Sequence, residues 1–582
     1  MNNEQFAEIF DRIADLMEIK GEVIYKTLAY RKAAENIRAL PGSLSGIYQQ
    51  GKLTEIPGVG KAISEKIEEI ITTGKLGFLE RLEEEVPVTL LEILAVPDIG
   101  PKKAALFWKQ AGVTSLAGLE EAVKAGRIRG LPGMGEKSEA RILAGIEAVK
   151  RRGHRMNLDT AQNVARRWLD WIRQQPGVEC AEAAGSLRRW KTTIGDIDIV
   201  VAIKDPEGLM AGLASHPDAA RVLGSGANKT SLELPGGVNM QVWTQPPERF
   251  GTLLQFVSGS KDHNVALRAL AQKQGLSLSE RCVTREDGTE LLFANEEGVY
   301  KTLGLDFVPP ELREDRGEIK AAADRTLPNL IRVEDLKAEL HTHSTWSDGV
   351  NTIEEMARGC MARGLKVYAV SDHSGSLGIA GGMKVEDLKE RKKEIDAVQE
   401  LLGSGITILS GSEIEIRADG TLDFDDETLA ELDVVVASLH TSLRQPREVV
   451  TGRLLNAIRH PHVDIIGHAS GRLMPNREGA DLDWDLVLEE ARKSGTAFEI
   501  NASPSRLDLD EVHVRQAVDM GIPIFINTDA HMVDQLDLAE YGVSVARRAW
   551  LKPDQVLSTW EPDRLLEWLR APKPERKKLV HP

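Results

Sequence analysis

The last 250 or so residues of this chain alternate seven short apolar runs with stretches of helical periodicity. Short apolar runs separated by helices predict parallel strands, each followed by a helix. Seven such units predict a (β/α)7 barrel, although eight strands is the commoner number. The predicted strands lie at residues 337–340, 366–370, 406–409, 434–437, 464–466, 497–500 and 523–526.

Most of these runs end in side chains of the types that bind metal ions. Ten of the 13 histidines lie beyond residue 332. Because a barrel gathers the C-terminal ends of its strands at one mouth, we expect these residues to converge. Imidazoles mixed with carboxylates suit zinc, manganese or iron, and a set this large suits two or three ions that activate water for phosphoester hydrolysis. The candidate ligands are His341, His343, Asp348, His373, Glu413, His440, His468, Asp529 and His531.

The motifs around these residues, HTHS, SDHS, GSEIEI, SLH, GHAS and TDAH, resemble those of the PHP (polymerase and histidinol phosphatase) domain. The resemblance covers residues 337–568 and implies a distorted seven-stranded barrel that binds Mn²⁺ or Zn²⁺ at a trinuclear site. By this resemblance one metal takes His341, His343, Glu413 and Asp529, a second takes Glu413, His440 and His468, and a third takes Asp348, His373 and His531.

A second candidate site lies in the middle of the chain, where GSLRR at residues 185–189 precedes GDIDIV at residues 195–200. Strand alternation puts Asp196 and Asp198 on one face, where two carboxylates can hold the divalent ions that clamp a triphosphate. Amides at a helix start near Gly185 and Ser186 suit phosphate oxygens. A lone pair of aspartates would more often mark a solvated strand face, but the two motifs together favour a nucleotide site.

These motifs resemble the palm of the nucleotidyltransferase fold, specifically that of family X DNA polymerases, and residues 250–264 resemble the thumb. Together with the PHP-like region, the whole chain resembles the bacterial PolX family, repair polymerases fused to a nuclease. The resemblance implies Mg²⁺ or Mn²⁺ at the catalytic residues Asp196 and Asp198. It also implies that Gly185, Ser186 and Arg189 bind the triphosphate of the incoming nucleotide, and that Gly259 and Asn264 bind its sugar and base.

One departure from this family affects the palm. Family members carry a third aspartate on the strand after the palm hairpin, and counting from residues 247–250 places Gln241 there. An amide brings no charge to a metal and cannot accept the proton of the primer hydroxyl. We therefore predict polymerase activity that is weak, manganese-dependent or absent. Glu233, nearly opposite on the same face of the hairpin, is an alternative source of the missing carboxylate.

Residues 1–152 have helical periodicity and contain three similar turns, IPGVGK, VPDIGP and LPGMGE. They resemble helix-hairpin-helix motifs, in which amides at the start of the second helix face a DNA phosphate. The alternative is a glycine turn between packed helices, but three copies favour DNA binding. The candidate DNA-binding residues are Gly58, Gly60, Gly100, Gly133, Gly135 and Lys66. Asp98 replaces the first glycine of the second copy, which places a negative charge beside the expected phosphate.

Lys66 has two candidate roles. It matches the lysine that some family X members use to form a Schiff base with 5′-deoxyribose phosphate, and an exposed lysine that binds phosphate is the alternative.

Charge and composition restrict the compartment and the partners. The net charge is −17, whereas residues 1–155 hold 23 basic and 22 acidic residues, so a DNA-binding surface is expected at the N-terminal end. The chain contains no run of roughly 20 apolar residues and no recognisable secretory signal, and its three cysteines fit a reducing compartment. We expect a cytoplasmic monomer that has no membrane segment.

We predict six regions: residues 1–85 and 86–154 as two helix-hairpin-helix domains, 155–245 as the palm, 246–308 as the thumb, 309–332 as a linker, and 333–582 as the PHP domain. The leading hypothesis is a DNA repair enzyme that acts on gapped or nicked DNA with deoxynucleoside triphosphates. Such an enzyme combines a gap-filling, template-dependent polymerase with a 3′-5′ exonuclease in the barrel. The same barrel site suits abasic-site cleavage. One alternative is a nuclease whose polymerase half is only a DNA clamp, and another is a phosphatase of small molecules.

Overall fold

The computed structural model describes residues 3–38, 44–49, 51–56, 58–96, 99–152, 155–376, 381–475 and 477–580. It divides into two units, Met1–Gly153 and His154–Pro582. The first unit is helical, as predicted from its periodicity. Its described helices are α1 (Asn3–Lys20), α2 (Ile24–Arg38), α3 (Leu44–Gln49), α4 (Lys61–Thr73), α5 (Gly77–Glu85), α6 (Pro101–Ala111), α7 (Leu116–Lys124) and α8 (Glu136–Arg152), with 3₁₀ helices at Leu53–Glu55 and Val88–Ala95.

Helix α4 illustrates why these segments are helical. Ile63, Ile67 and Ile70 recur at spacings of four and three residues, lie on one face and are buried. The helix ends at Gly74, which adopts the left-handed conformation and donates its amide to the carbonyl of Ile70. The buried face joins a hydrophobic cluster that continues through the whole first unit.

The predicted hairpin glycines precede helices. Gly60 is the residue before α4, Gly100 the residue before α6, and Gly135 the residue before α8. A side chain added at any of these three glycines would meet no atom within 4 Å, so the helix starts are open to a ligand. Gly58 has a φ of +77°, which favours glycine in the turn before α4. Pro57, Pro97 and Asp98 lie outside the described residues, so the prediction about Asp98 stays untested.

The first part of the second unit contains β1 (Met156–Asn157), α9 (Leu158–Arg173), β2 (Val178–Ala183), α10 (Gly185–Arg188), β3 (Thr193–Ile194), β4 (Asp196–Ile203), α11 (Glu207–Ala214), β5 (Arg221–Ser225), β6 (Lys229–Leu234) and β7 (Val238–Gln245). Five of these strands form one sheet of order β2-β4-β7-β6-β5, and β1 pairs with β3. Helix α9, strand β4 and the β6–β7 hairpin were predicted. Strand β5 was missed because all five of its residues are exposed, so it lacks an alternating apolar pattern.

A smaller mixed region follows the sheet. It contains α12 (Phe250–Ser258), α13 (Lys261–Lys273), β8 (Leu276–Leu278), β9 (Val283–Arg285), β10 (Glu290–Leu291), α14 (Glu296–Thr302) and α15 (Glu318–Asp324). Strands β8, β9 and β10 form a three-stranded antiparallel sheet.

The segment predicted as a linker, residues 309–332, is packed against this mixed region. Arg313 is fully buried and its guanidinium Nη1 lies 2.6 Å from Glu296 Oε1. Glu318 is also buried, and its carboxylate lies 2.6 Å from the His263 ring. The charges that suggested an exposed linker are therefore paired inside the fold, which composition alone could not indicate.

All seven predicted strands of the C-terminal region are present. They are β11 (Ala338–Glu339), β12 (Val367–Val370), β13 (Thr407–Glu415), β14 (Val434–Ser438), β15 (Ile465–Gly467), β16 (Ala497–Asn501) and β17 (Ile524–Asn527). Each strand pairs in parallel with the next in the chain. A parallel bridge between Thr342 and Ala530 brings the ends of the first and last strands together, so the sheet is a nearly closed barrel.

Helices cover the barrel, and its interior is apolar at one end. The helices are α16 (Ile353–Ala362), α17 (Val385–Leu402), α18 (Asp426–Ala430), α19 (Arg447–Arg459), α20 (Trp484–Ser494), α21 (Glu511–Asp519), α22 (Ala539–Arg548), α23 (Pro562–Arg570) and α24 (Lys573–Val580). Successive residues of a strand alternate between two cores: Val434 and Val436 join the interior cluster, which includes Trp568, and Val435 packs with the outer one. Among the described residues, no helix is long and apolar enough to cross a membrane.

Candidate active sites

The nine predicted metal ligands converge at the C-terminal ends of the barrel strands. His341 and His343 follow β11, His373 follows β12, and Glu413 lies on β13. His440, His468 and Asp529 follow β14, β15 and β17 in the same way. Side chains that are up to 190 residues apart in the sequence thus share one site, because every parallel strand ends at the same mouth.

Glu413 lies at the centre of this cluster. Five histidine nitrogens surround its buried carboxylate: His373 Nδ1 at 2.8 Å, His468 Nε2 at 2.9 Å, His440 Nε2 at 3.2 Å, His341 Nε2 at 3.4 Å and His343 Nε2 at 3.6 Å. Burial alone would raise the pKa of Glu413, but His440, His341 and His373 hold it well below its usual value. The central carboxylate is therefore ionised and available as a bridging ligand.

Two aspartates complete the cluster: Asp348 is one-third exposed, whereas Asp529 is largely buried. Asp529 Oδ1 lies 3.1 Å from His343 Nε2 and 3.7 Å from His341 Nε2. Asp348 Oδ2 lies 3.4 Å from His531 Nε2 and 3.5 Å from His373 Nε2. Burial, together with the neighbouring His531 and His373, lowers the pKa of His343 to about 4, so this imidazole is neutral and can donate a lone pair.

The donor set fits metal ions. Seven buried polar atoms of the cluster form no hydrogen bond. They are both carboxylate oxygens of Glu413, Nε2 of His341, His440 and His468, and Nδ1 of His343 and His468. Buried polar atoms normally have partners, and a metal ion would supply one here. The nine predicted ligands fall into four overlapping groups. Within each group, the ligand atoms all lie within 4.8 Å of one another.

The four groups do not reproduce the three predicted metal sets one for one. His468 groups with His341 and Glu413, whereas His440 groups with His373 and Glu413. His343 joins Asp348, His373 and His531, and it also forms a group with His341 and Asp529. The assignment of individual ligands to individual ions therefore stays a prediction.

Two carboxylates behind the ligands were missed by the sequence analysis. Glu499 Oε1 lies 2.7 Å from His341 Nδ1, and Glu415 Oε2 lies 2.7 Å from His440 Nδ1. Such partners fix the ring orientation and leave the opposite nitrogen free for a metal. Glu499 is fully buried within β16, and a carboxylate inside an apolar strand is the signal that could have identified it.

Arg506 is a further residue of this site that the sequence analysis missed. Its Nε lies 3.4 Å from Asp529 Oδ2, and its side chain is only 15% exposed. Its Nη1 is buried without a hydrogen-bond partner. Because a guanidinium binds phosphate oxygens well, this free donor suits a phosphate group beside the metal ligands.

The palm aspartates lie together on one face of the five-stranded sheet. Asp196 and Asp198 are half-buried, whereas Ile197 and Ile199 between and after them point into the core. Burial, together with the charge of Asp196, raises the pKa of Asp198 to about 6. The pair is thus a site where a divalent cation would relieve the repulsion between two close carboxylates.

Gln241 lies beside the two palm aspartates. In the parallel pairing of β4 with β7, Gln241 is the partner of Asp198. Its side-chain Nε2 donates a hydrogen bond to Asp196 Oδ2 at 3.1 Å. The amide therefore faces the two carboxylates as a donor, whereas a third aspartate would face them as a charged acceptor.

Glu233 does not take the place of the missing carboxylate. Its strand partner is Asn239, and Ser231 is the residue opposite Gln241. The Glu233 carboxylate forms an ion pair of 2.5 Å with Arg221 on the edge strand. The alternative that Glu233 replaces the third aspartate therefore gains no support.

Of the predicted nucleotide-binding residues, Gly185 lies directly against a palm aspartate. Gly185 has a φ of +59°, and a Cβ there would lie 2.3 Å from Asp198 Oδ2, so only glycine fits. Ser186 is half-buried in the same short helix. Arg189 reaches Gly259, where an added Cβ would lie 3.1 Å from its Nη1. The side chain of Asn264 already has protein partners: it accepts a hydrogen bond from Gln255 and donates one to the carbonyl of Phe256.

Lys66, in the first unit, is half-buried on α4, and the hydrogen bond of its amine lies at the surface. Its Nζ donates to the carbonyl of Ala62 at 3.2 Å and lies 4.9 Å from the ring centre of Phe78. Both of its predicted roles need an accessible amine, and the structure satisfies that requirement without distinguishing them.

Comparisons with known proteins agree with this architecture. The chain matches the family models described as helix-hairpin-helix domain at residues 1–76, SAM-like helix-hairpin-helix tandem at 90–148, DNA polymerase beta thumb at 253–314 and PHP domain at 339–503. Among individual relatives, the DNA polymerase/3′-5′ exonuclease PolX of Bacillus subtilis is 38% identical over 563 residues, which cover 96% of this chain and 97% of that protein.

Other relatives match one half of the chain. DNA polymerase lambda of Rattus norvegicus is 27% identical over 344 residues, 54% of this chain and 56% of that polymerase. A protein of Thermoanaerobacter sp. strain X514 named probable phosphatase is 31% identical over 250 residues, 41% of this chain and 96% of that phosphatase.

The helical hairpins, the paired palm aspartates, the thumb and the metal-binding barrel define a class of protein, the metal-dependent family X DNA polymerases that carry a PHP domain. Within that class the match to the Bacillus subtilis protein extends over nearly the full length of both chains. The chain therefore belongs to the bacterial PolX family of DNA repair polymerases.

Proposed function

We propose that this protein acts on gapped or nicked DNA, removes nucleotides from 3′ ends in the barrel, and inserts nucleotides at the palm weakly or only with Mn²⁺. The convergence of nine metal-ligand side chains around Glu413 is the observation that carries the proposal. Mn²⁺ or Zn²⁺ suits the mixed imidazole and carboxylate ligands, and two or three ions suit their number.

When bound, the ions supply an activated water and neutralise charge on a phosphodiester. The protein's own residues hold the geometry. Glu499 and Glu415 orient His341 and His440, so that each presents its Nε2 to the cluster. Arg506 offers its free Nη1 to a phosphate oxygen beside Asp529. A bound phosphodiester would thus be held by a fixed guanidinium while the ligands keep the water positioned for attack.

In the palm, Asp196 and Asp198 bind the divalent ions that accompany a deoxynucleoside triphosphate. The primer 3′-hydroxyl must lose a proton when it attacks, and Gln241 cannot accept that proton. Its amide also donates to Asp196, which occupies one carboxylate oxygen. Nucleotide binding is therefore expected to survive better than the chemical step.

In this proposal the N-terminal unit binds the DNA. The helix starts after Gly60, Gly100 and Gly135 are sterically open. First-turn amides of a helix have no partner within the helix, so those of the non-proline residues there can bind phosphates without reading sequence. We propose that residues 1–85 and 86–154 bind DNA, that 155–245 form the palm and 246–308 the thumb, and that 333–582 carry out hydrolysis.

Three further activities are compatible with these sites. A nuclease whose palm acts only as a DNA clamp follows if Gln241 abolishes insertion altogether. Hydrolysis of small phosphomonoesters is favoured by the relatives named probable phosphatases, which align with the barrel half of the chain. Abasic-site cleavage would use the same metal cluster, because it too breaks a phosphodiester.

Hydrolysis of a 3′-recessed DNA duplex and of histidinol phosphate in Mn²⁺ tests the proposal. The unaltered chain should shorten the DNA 3′ end far faster than it hydrolyses the small ester, and Asp529→Ala should abolish both reactions. A preference for histidinol phosphate would establish the phosphatase instead. Cleavage that persists in Asp529→Ala would remove the barrel cluster from the reaction.

A further inference from the structure

Arg548, the last residue of barrel helix α22, is buried and contacts the palm. Its side chain is 1% exposed, and its Nη1 donates to the backbone carbonyl of Arg189 at 2.7 Å. The same Nη1 lies 3.2 Å from Glu314 Oε1, and Nη2 lies 2.7 Å from Glu511 Oε1. A residue of the hydrolytic barrel is thereby hydrogen-bonded to the residue that follows the short palm helix α10.

Glu314 is shared between two arginines. Its Oε1 accepts from Arg189 Nε at 3.1 Å as well as from Arg548 Nη1. Burial would raise the pKa of Glu314, but Arg548, Arg189 and Lys191 lower it below its usual value. One ionised carboxylate oxygen thus balances a palm guanidinium and a barrel guanidinium at the same time.

Arg189 in turn is linked to a palm aspartate through Gly185: its backbone amide donates to the Gly185 carbonyl at 3.4 Å, and Gly185 packs against Asp198. Its guanidinium approaches the backbone of Gly259 and donates to the carbonyl of Ser258. Its charge also acts on Asp198, where it lowers the pKa against the effects of burial and of Asp196. The positive charge that Arg189 presents to a triphosphate therefore depends on how much of it Glu314 neutralises.

Without Arg548, the cations left beside Glu314 would be Arg189 and Lys191, whose Nζ lies 3.7 Å from Glu314. Lys191 is one-third exposed, so water screens it more than it screens Arg189. Glu314 would then pair more tightly with Arg189 and reduce the attraction of Arg189 for an anion. The guanidinium of Arg548 binds Glu314 and Glu511 at the same time, and it thereby prevents the tighter pairing of Glu314 with Arg189.

We propose that Arg548 is a positioning residue, which raises the affinity of the palm for a nucleoside triphosphate by sharing Glu314 with Arg189. The inference rests on the proposed nucleotide site at Asp196 and Asp198. It makes the barrel a structural part of the polymerase site, beyond its own hydrolytic role.

The test measures binding rather than turnover, because Gln241 is expected to slow the chemistry. The full chain is bound to gapped DNA in Mn²⁺ and titrated with an α,β-imido deoxynucleoside triphosphate that pairs with the template base. Arg548→Met should weaken binding about tenfold, as expected for one lost charge-assisted contact. Arg548→Lys, which keeps a cation beside Glu314, should weaken it less. Adding Glu314→Gln to Arg548→Met should restore most of the lost affinity.

Arg547→Met is the matched control. Arg547 lies on the same helix and pairs with Glu311 and the carbonyl of Ile331, but it has no described contact with Arg189 or Glu314. It should leave the affinity for the triphosphate analogue within twofold. DNA hydrolysis by the barrel, unchanged in every variant, checks that the fold is intact.

Three results would overturn the inference: equal affinity in Arg548→Met, an equal loss in Arg547→Met, or a loss that Glu314→Gln does not restore. If the unaltered chain binds no triphosphate analogue, both the proposed nucleotide site and this inference fail. If it binds the analogue and Arg548→Met binds it equally well, only the inference fails.

Discussion

Gln241 donates its side-chain amide to Asp196 at 3.1 Å, across the two strands that carry the palm site. The contact uses a lone pair of a carboxylate that would otherwise be free for a metal ion. It also leaves the site one negative charge short of the three carboxylates that the family X resemblance implies. We therefore expect a palm that can bind a nucleotide but lacks a proton acceptor for the primer hydroxyl.

Replacement of Gln241 by aspartate should restore that acceptor. We expect Gln241→Asp to increase the rate of primer extension on gapped DNA in Mg²⁺ by about 100-fold or more, because a general base usually contributes about 100- to 10,000-fold. Gln245→Asp, at the end of the same strand, adds the same charge away from the aspartates and should have no such effect. Equally fast extension by the unaltered chain and by Gln241→Asp would contradict the interpretation.

Asp198 should lower the stability of the metal-free protein at neutral pH. Its folded pKa of about 6 is raised above the ordinary 3.8, so ionisation disfavours the folded state as the pH rises through 6. In EDTA at pH 7.5, we expect Asp198→Asn to increase the free energy of unfolding by on the order of 2 kcal/mol.

This advantage of Asp198→Asn should disappear as the pH falls below about 4, where the aspartate is protonated in both states. Thermal unfolding of the two proteins between pH 4 and 8 measures it. A difference that is constant across this range would show that the charge of Asp198 is not its cause.

Glu499 should control metal affinity without touching a metal. Because its carboxylate fixes the ring of His341, we expect Glu499→Gln to weaken metal binding about 10- to 100-fold. Metal content after dialysis against buffered Mn²⁺ or Zn²⁺, measured by mass spectrometry, gives this directly. Glu489→Gln, which removes a charge from an exposed helix face, is the control. Equal metal content in the Glu499 and Glu489 variants would exclude the positioning role.

Arg506 should act on the substrate and not on the metals. We expect Arg506→Met to reduce the rate of DNA 3′-end hydrolysis about 10- to 100-fold, because the phosphate loses a charge-assisted hydrogen bond in a partly buried site. Bound metal should stay unchanged. Arg492→Met on the barrel surface should have no effect on either measurement. A parallel loss of metal and activity in Arg506→Met would mean that the arginine only supports the cluster.

A substitution at Gly60 can test DNA binding without destabilising the helix that follows it. It precedes α4 with a φ of −78°, where aspartate is a preferred N-terminal cap. Gly60→Asp should therefore keep or increase helix stability while its charge repels a phosphate. We expect about tenfold weaker binding of gapped DNA by fluorescence anisotropy at fixed salt, with Gly60→Asn as the neutral control. Unchanged affinity in Gly60→Asp would place the DNA elsewhere.

The barrel strands and their ligands could be predicted because both depend on local pattern plus one topological rule. Runs such as 434–437 and 497–500 are short and apolar, and each ends just before or at a change to polar residues. A parallel barrel then forces the strand ends together. Glu499 escaped notice because its role is defined only by a histidine 158 positions away in the chain.

The sequence by itself determined the seven strands and the nine candidate ligands, since each follows from residue type and spacing along the chain. The order of the domains and the lack of a third palm aspartate came from its resemblance to family X polymerases. Only the tertiary structure decided which carboxylates orient His341 and His440, that Arg506 keeps a free donor, and that residues 309–332 are packed. It also decided that Arg548 and Arg189 share Glu314. Such pairings depend on burial and on distances of about 3 Å between side chains far apart in the sequence, and no local pattern encodes those distances.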